Sequence, residues 1–191
     1  KACAGARVRH RIRALVIALG AGEVTGLASH GAQIWAFTAD AAWVLTTSDQ
    51  LIDYTLYRFS THGCVAHRTV QSVKDKIIWA STDGIYAAPE GQGVARISDD
   101  VKTTYQAISA ADLAKAHAVV WDDKYFFIWP SGCLVYDLRF NSWSENTAWT
   151  WRVAAVTATG AAVERLYAAE QSAAAVRELE TGVTDEGAAI T

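Results

Sequence analysis

The sequence contains no methionine, although an intact gene product begins with one. We therefore expect a processed chain, a fragment, or a sequence read into a density map. Long apolar runs are also missing. The stretch Leu15–Leu19 is apolar but far shorter than the roughly 20 residues that a membrane span needs. It does not have the layout of a signal peptide either, so we expect a buried strand there and no membrane contact.

The chain has few cysteines and a small net charge. The three cysteines, Cys3, Cys64 and Cys133, are odd in number and have no recognisable spacing, which argues against a disulfide scaffold and favours a reducing site of assembly. The formal net charge is -3, with lysine and arginine spread along the chain. This balance is not typical of a nucleic-acid-binding protein.

One basic cluster departs from that balance, near the start of the chain. In a strand, its arginines would share one face, opposite Val8 and Ile12. The cluster is either a solvated edge or a surface that faces phosphates or an acidic partner. Its members are Arg7, Arg9, Arg11 and Arg13.

Catalytic and metal-binding patterns are absent as well. His62, Cys64 and His67 are close in sequence, but a tetrahedral metal site would need a ligand from elsewhere, and a turn before a buried strand explains them better. The Asp122-Asp123 pair is typical of a hairpin turn rather than of a general acid and base. No nucleophile with a matching base is apparent. We therefore expect no enzyme activity, no metal and no cofactor.

What the sequence does contain is a pattern of short strands. The stretch Cys64–Val101 holds four short apolar segments, separated by turn-forming residues around Asp75, Asp83 and Gly91. Four such segments in sequence predict an antiparallel meander of four strands. One sheet of this kind cannot bury its apolar face alone, so the pattern is expected to recur.

The pattern recurs at intervals of roughly 40 to 50 residues, as in β-propellers with four strands per blade. The second strands of the repeats are Ile34–Phe37, Ile77–Ala80, Tyr125–Ile128 and Leu166–Ala169. The predicted fold is all-β: a β-propeller with about four recognisable four-stranded blades, expected to be part of a larger propeller.

The repeat also predicts the organisation of the chain. Residues 1–23 are interpreted as the end of a preceding blade or a linker, and residues 24–187 as propeller, with blades at 24–60, 63–98, 116–151 and 152–180. A short helical insertion is predicted at 99–115, where acidic residues come first and lysine later. Residues 161–180 have helix-forming composition, but the repeat predicts two strands, and we favour the strands.

Tryptophan is abundant, with eight residues that fall mostly in predicted strands. Large flat side chains suit the wedge-shaped gaps between blades, whereas sugar binding on exposed aromatic rings is the alternative. The residues assigned to inter-blade packing are Trp35, Trp43, Trp79 and Trp129.

Many short segments are similar to propeller proteins from the tails of tailed bacteriophages. The resemblance extends over roughly residues 24–187 and rests on many weak positions. Its segments are Val24–Leu27, Ile34–Thr38, Ala42–Leu45, Gly63–Val70, Trp79–Tyr86, Arg96–Val101, Ile108–Leu113, Ala116–Ala118, Leu134–Leu138 and Ser142–Ser144.

This resemblance implies a structural virion protein, a tail hub or nozzle or a neck component, assembled in the host cytoplasm. It further implies a ring of identical copies, in contact with neighbouring tail or adaptor proteins. Genomic DNA would pass through the ring without specific binding. The alternative function is a carbohydrate-binding or glycan-hydrolysing propeller involved in receptor binding.

Overall fold

A computed structural model describes residues 22–47, 54–146, 151–158, 164–170 and 175–179, together with 184–185 and 188–189. These residues form strands β1–β17 and two short helices. The strands are grouped in antiparallel sheets whose members follow one another in chain order. Each of the four larger sheets is called a blade below.

Within each blade, strands that are neighbours in the sheet are also consecutive in sequence. Blade 1 contains β1 (Val24–His30), β2 (Gln33–Thr38), β3 (Ala42–Thr47) and β4 (Tyr54–Ser60). Blade 2 contains β5 (Gln71–Val73), β6 (Lys76–Ala80), β7 (Ile85–Pro89) and β8 (Ala95–Arg96). Blade 3 contains β9 (His117–Trp121), β10 (Lys124–Trp129), β11 (Gly132–Asp137) and β12 (Ser142–Asn146).

Blade 4 has three strands in the described part of the chain. They are β13 (Trp151–Ala158), β14 (Glu164–Glu170) and β15 (Val176–Glu178). Strands β16 (Thr184–Asp185) and β17 (Ala188–Ala189) pair in a separate hairpin. The two strands within 161–180 settle the conflict between composition and repeat in favour of the repeat. Leu166 pairs with Val156 and Tyr167 pairs with Glu178, so β14 is held on both edges.

The chain is a β-propeller, as the repeat predicted. The four predicted second strands are β2, β6, β10 and β14, and each lies between two neighbours in its sheet. The sheets lie within the predicted blade ranges with one difference. Trp151, expected to end the third blade, is the first residue of β13.

Two helices separate blades 2 and 3, within the predicted insertion at 99–115. They are α1 (Lys102–Ala107) and α2 (Ala110–Leu113). Asp99 and Asp100 precede α1 rather than lying inside it, so its first turn contains no acidic residue. Tyr105 of α1 and Leu113 of α2 are buried in the apolar cluster between the two blades, which fixes the insertion against the sheets.

The blades pack face to face through three apolar clusters. The first lies between blades 1 and 2 and includes Trp35, Phe37, Ile77 and Trp79. The second lies between blades 2 and 3, and the third between blades 3 and 4. Successive residues of β6 therefore enter different clusters: Ile77 and Trp79 one, Ile78 and Ala80 the other.

The first strands of the blades lie side by side. β1 contacts β5, β5 contacts β9, and β9 contacts β13. This is the arrangement expected when the innermost strands of propeller blades surround a common axis. The ends at which these four strands begin define what is called here the entry face of the propeller. Among the described helices, none is long and apolar enough to span a membrane.

One close approach fixes how the chain passes from blade 1 to blade 2. Cys64 donates its backbone N–H to the carbonyl of Thr38 over 3.0 Å. A Cβ atom on Gly63 would lie 2.2 Å from that same carbonyl oxygen and 2.4 Å from the backbone nitrogen of Asp40. Only glycine permits this contact, because backbone atoms cannot move aside as a flexible side chain can.

Trp79 provides a test of the inter-blade packing. Its side chain is fully buried, with ring centroids 6.1 Å from Trp35 and 5.5 Å from Phe37, both in blade 1. We expect Trp79→Ala to lower the free energy of unfolding by about 3–5 kcal/mol, because it removes buried area and leaves a cavity. Chemical denaturation measures the change. Phe140→Ala is the control, since Phe140 is 75% exposed and should change stability little. Equal effects of the two substitutions would contradict the packing role.

Candidate functional site

A cleft on the entry face brings together chain segments from blades 2, 3 and 4. It has a volume of about 660 Å³ and lies where β9 and β13 begin. The short 3-10 helix His67–Thr69, the end of α2 and the β10–β11 hairpin close its sides. The lining residues are Arg68, Asp112, Ala114, Lys115, His117, Trp129, Pro130, Trp151, Arg152 and Val153. We call it the inter-blade cleft.

The β10–β11 hairpin places an aromatic wall in the cleft. Trp129 ends β10 and Gly132 begins β11, and the two residues pair across the hairpin. A Cβ atom on Gly132 would lie 2.5 Å from the Trp129 ring, so the indole packs directly on the glycine backbone. Trp129 is 7% exposed, and its remaining surface faces the cleft together with Pro130.

Helix α2 and the residues that follow it supply two charged residues, Asp112 and Lys115, on another side. Ser109 caps the helix, accepting the N–H of Asp112 over 3.1 Å and donating its hydroxyl to the Asp112 carboxylate over 2.9 Å. These two hydrogen bonds fix the first turn of the helix and satisfy part of the hydrogen-bonding capacity of the Asp112 carboxylate. Lys115 follows one turn later, and its backbone N–H is bonded to the carbonyl of Asp112. The capped turn Ser109–Asp112 therefore fixes the position of the backbone at Lys115, just after the helix.

His117 connects blades 3 and 4 below the cleft. It is 5% exposed, and its Nε2 accepts the backbone N–H of Ala154 over 3.1 Å. Because Nε2 is the acceptor, the ring proton of the neutral form lies on Nδ1. Burial lowers the pKa of His117 to about 4, and the Arg68 guanidinium acts in the same direction. At neutral pH, His117 is therefore an uncharged structural bridge.

The charge of the cleft is positive. Arg68, Lys115 and Arg152 are exposed at its rim, and Asp112 is the one acidic residue among the described residues that line it. Within the part of the chain that the structure describes, none of the three cations forms an ion pair. The inter-blade cleft thus presents unpaired positive charge beside an apolar wall.

The structure places the four tryptophans assigned to inter-blade packing in different surroundings. Trp35 and Trp79 belong to the cluster between blades 1 and 2, and Trp129 to the cluster between blades 2 and 3. Trp43 is half-buried on the other face of blade 1, outside all three clusters. Trp129 alone among the four also lines the inter-blade cleft.

The His and Cys residues near position 64 are structural in their contacts. His62 stacks on Tyr86 with ring centroids 4.1 Å apart, and Tyr86 donates its hydroxyl to Asp83 over 2.7 Å. Cys64 is buried, and burial raises the pKa of its thiol to about 11. His67 packs against the backbone of Gly26. Among the described residues, no group of three or more His, Cys, Asp or Glu side chains could hold a metal ion.

Sequence reasoning did not find the inter-blade cleft. Its three cations stand at widely separated positions, and neither the strand pattern around Arg68 nor the helical insertion around Lys115 predicted that they would meet. The predicted basic cluster of Arg7, Arg9, Arg11 and Arg13 lies outside the described residues. The Asp122-Asp123 pair forms the predicted hairpin turn, with φ of 47° and 57°.

The buried bridge at His117 predicts a pH dependence of stability. The unfolded chain takes up a proton at this residue near its ordinary pKa of 6.5, whereas the folded chain does so only near 4. Stability contributed by neutral His117 is therefore present above about pH 6.5 and is lost as the pH falls toward 4. His117→Gln keeps an acceptor for Ala154 but cannot titrate. We expect melting temperature to fall less steeply with acidification in this variant than in the wild type. Identical slopes would contradict the lowered pKa.

The chain was compared with protein families, curated proteins and solved structures. No protein-family model and no curated protein matches the chain. Among solved structures, it is similar to PorZ, an essential bacterial surface component of the type-IX secretion system of Porphyromonas gingivalis. The TM-score is 0.52 at 9% identity, over 83% of this chain and 23% of PorZ.

Two further solved structures are similar over about half of their own length. The Pan2 WD40 domain of Neurospora crassa has a TM-score of 0.44 at 13% identity, over 84% of this chain and 50% of that domain. The AfRom2 CNH domain has a TM-score of 0.45 at 11% identity, over 82% and 50%. The chain thus spans a quarter to a half of these proteins. At such low identity, the likeness to PorZ bears on the fold alone.

Proposed function

We propose that this chain is a structural, non-enzymatic virion protein of a tailed bacteriophage, in the tail hub or nozzle or in the neck. Copies would form a ring around the DNA channel and contact neighbouring tail or adaptor proteins. The sequence resemblance described above suggests the place in the virion. The observation that carries the structural role is that large apolar side chains are exposed on the outward faces of blades 1 and 4.

The outward face of blade 1 is the one opposite Trp35 and Phe37. Leu27 is 59% exposed and Ile34 is 44% exposed on this face. Strand pairing places Ala36 and Trp43 beside Leu27, and Leu45 and Leu56 beside Ile34. None of the six residues belongs to the three inter-blade clusters. This surface extends over all four strands of the sheet.

The outward face of blade 4 also exposes apolar side chains, at the end of the sheet where β13 begins. Val153 is 43% exposed and Val176 is 71% exposed, and Ala169 pairs with both. An ion pair of 2.7 Å between Arg165 and Glu178 borders this apolar surface. Apolar side chains next to charged ones are common at subunit interfaces, where charge is depleted only at the fully buried core.

Each inner blade face buries side chains of this kind against a neighbouring blade. Exposed apolar side chains that lie next to one another, such as Leu27 and Ile34 on blade 1, are typical of sites of contact with other protein. Further protein on these two faces, whether from other copies or from neighbouring tail components, would continue the packing already seen between blades. The proposed structural role therefore relies on the same kind of contact that holds the blades together.

The charge of the chain suits a channel through which DNA passes. With a formal net charge of -3, the chain carries no general excess of cations for phosphate contacts. Tight phosphate contacts would oppose transit and would make binding fall steeply with salt. Genomic DNA is therefore proposed to pass without specific binding.

The inter-blade cleft favours a second candidate function, the carbohydrate-binding propeller involved in receptor binding. Its supporting observation is the wall formed by Trp129 and Trp151 beside polar side chains. Hydrolysis is less well supported, because a glycosidase needs two carboxylates about 5–10 Å apart. Asp112 is the one carboxylate among the described residues that line this cleft.

Assembly can be tested with a charge on the apolar outward face. We expect Ile34→Lys to reduce self-association, measured as molar mass by light scattering, while the melting temperature changes little because Ile34 is outside the inter-blade clusters. Phe140→Lys is the matched control on another exposed apolar residue. It should leave the molar mass unchanged.

Imaging of tail particles that contain this chain tests its place in the virion. The expected result is a ring of copies around the channel. The proposal would be wrong if the chain were a monomer remote from any tail, or if it cleaved glycans and lost that activity on substitution of a single Asp or Glu.

A further inference from the structure

We propose that the inter-blade cleft binds a small organic anion, with its carboxylate or phosphate at the cationic rim and its ring against the tryptophan wall. This proposal goes beyond the structural role and does not depend on it. It concerns the cleft on the entry face, whereas the proposed assembly concerns the outward faces of blades 1 and 4, and Val153 is the one named residue common to both.

The cations come from three separate segments of the chain and meet at one cleft. Arg68 lies in the 3-10 helix before blade 2, Lys115 follows α2, and Arg152 is the second residue of β13. Like charges that share one cleft repel each other, and no described carboxylate pairs with any of them. A bound anion would relieve this repulsion and would gain charge-assisted hydrogen bonds. Arginine in particular can bind a carboxylate or phosphate with two parallel hydrogen bonds.

The one acidic lining residue does not cancel this charge. The Asp112 carboxylate accepts the hydroxyl of Ser109 over 2.9 Å as part of the helix cap. Capping directs that carboxylate toward the start of α2, where negative charge is favourable. His117 adds no charge at neutral pH, because burial keeps it unprotonated. The net charge of the cleft lining therefore remains positive, with three cations against one carboxylate among the described residues.

The apolar wall gives the cleft a surface for a ring. Trp129, Pro130, Trp151 and Val153 line it together. Each tryptophan is 7% exposed, so only a small part of each ring is accessible, whereas Val153 is 43% exposed. The volume of about 660 Å³ exceeds what a bare inorganic ion would fill and is in the range of small-molecule sites. A ligand with both a ring and a charge would use the wall and the rim at once.

The lining is held in place by contacts that need no ligand. The Trp129 ring packs on Gly132, His117 is bonded to Ala154, and Ser109 caps α2. Preformed sites lose less ordering entropy when a ligand binds. Such contacts also mean that exposed rim residues can be substituted without disturbing the fold.

Isothermal titration of the 191-residue chain with four probes tests the proposal. Glucuronate and glucose 6-phosphate carry a ring and a charge, glucose carries the ring alone, and inorganic phosphate carries the charge alone. We expect at least one of the two charged sugars to bind, and to bind at least about tenfold more tightly than glucose and than inorganic phosphate. The stronger of the two charged probes tells whether carboxylate or phosphate is preferred.

Substitutions at the rim assign the binding to this cleft. Arg68→Gln and Arg152→Gln should each weaken binding of the charged sugar by about tenfold, the loss expected for one charge-assisted hydrogen bond. Lys102→Gln, which neutralises an exposed lysine on α1, is the matched control and should leave affinity unchanged. The proposal would be overturned by glucose or inorganic phosphate binding as tightly as both charged sugars, by full affinity in both rim variants, or by no binding of any probe.

Discussion

Apolar contact between the faces of neighbouring blades is the interaction on which the rest of this structure depends. A blade inside the stack is covered on both sides, so it cannot follow the alternation of apolar and polar residues typical of a sheet with one wet face. Strand β6 shows the consequence, since Ile77, Ile78, Trp79 and Ala80 are all buried. Strand β10 repeats it from Tyr125 to Trp129. The same constraint explains why the chain has many aromatic residues without an evident catalytic centre.

Hydrogen bonds between blades add direction to this packing. At the junction of blades 2 and 3, the hydroxyl of Tyr125 donates to the carbonyl of Thr69 over 2.9 Å, and the amide of Gln71 donates to the carbonyl of Ala118 over 2.8 Å. At the junction of blades 3 and 4, the indole of Trp121 donates to the carbonyl of Glu164 over 3.1 Å. Apolar faces alone can slide against each other, whereas hydrogen bonds are directional, and the buried hydroxyl of Tyr125 in particular must meet its acceptor. These bonds therefore fix the relative position of blades that dispersion and burial hold together.

The architecture was predictable from the sequence because it rests on local patterns that recur. Each second strand could be aligned, and the repeat correctly outweighed the helix-forming composition around Leu166, where pairing on both edges decides the structure. Contacts between segments that are distant in sequence were harder to predict. Trp43 has the same sequence surroundings as the other strand tryptophans, yet it lies outside the clusters because its side chain is on the outward face of blade 1. A pattern within one strand shows which residues share a face, but it does not show which face another blade will cover.

The inter-blade cleft could not be predicted from the sequence for a related reason. Its shape depends on how the insertion at 99–115 is anchored to the blades. Tyr105 donates its hydroxyl to the carbonyl of Ser81 over 2.5 Å, and its ring packs 5.6 Å from Phe127, which joins α1 to blades 2 and 3. Leu113 is buried in the same cluster and fixes the end of α2. The chain must then enter β9 at His117, so Lys115 is left at the surface between these two anchored points. The packing that holds the blades together thereby also determines which side chains face the cleft.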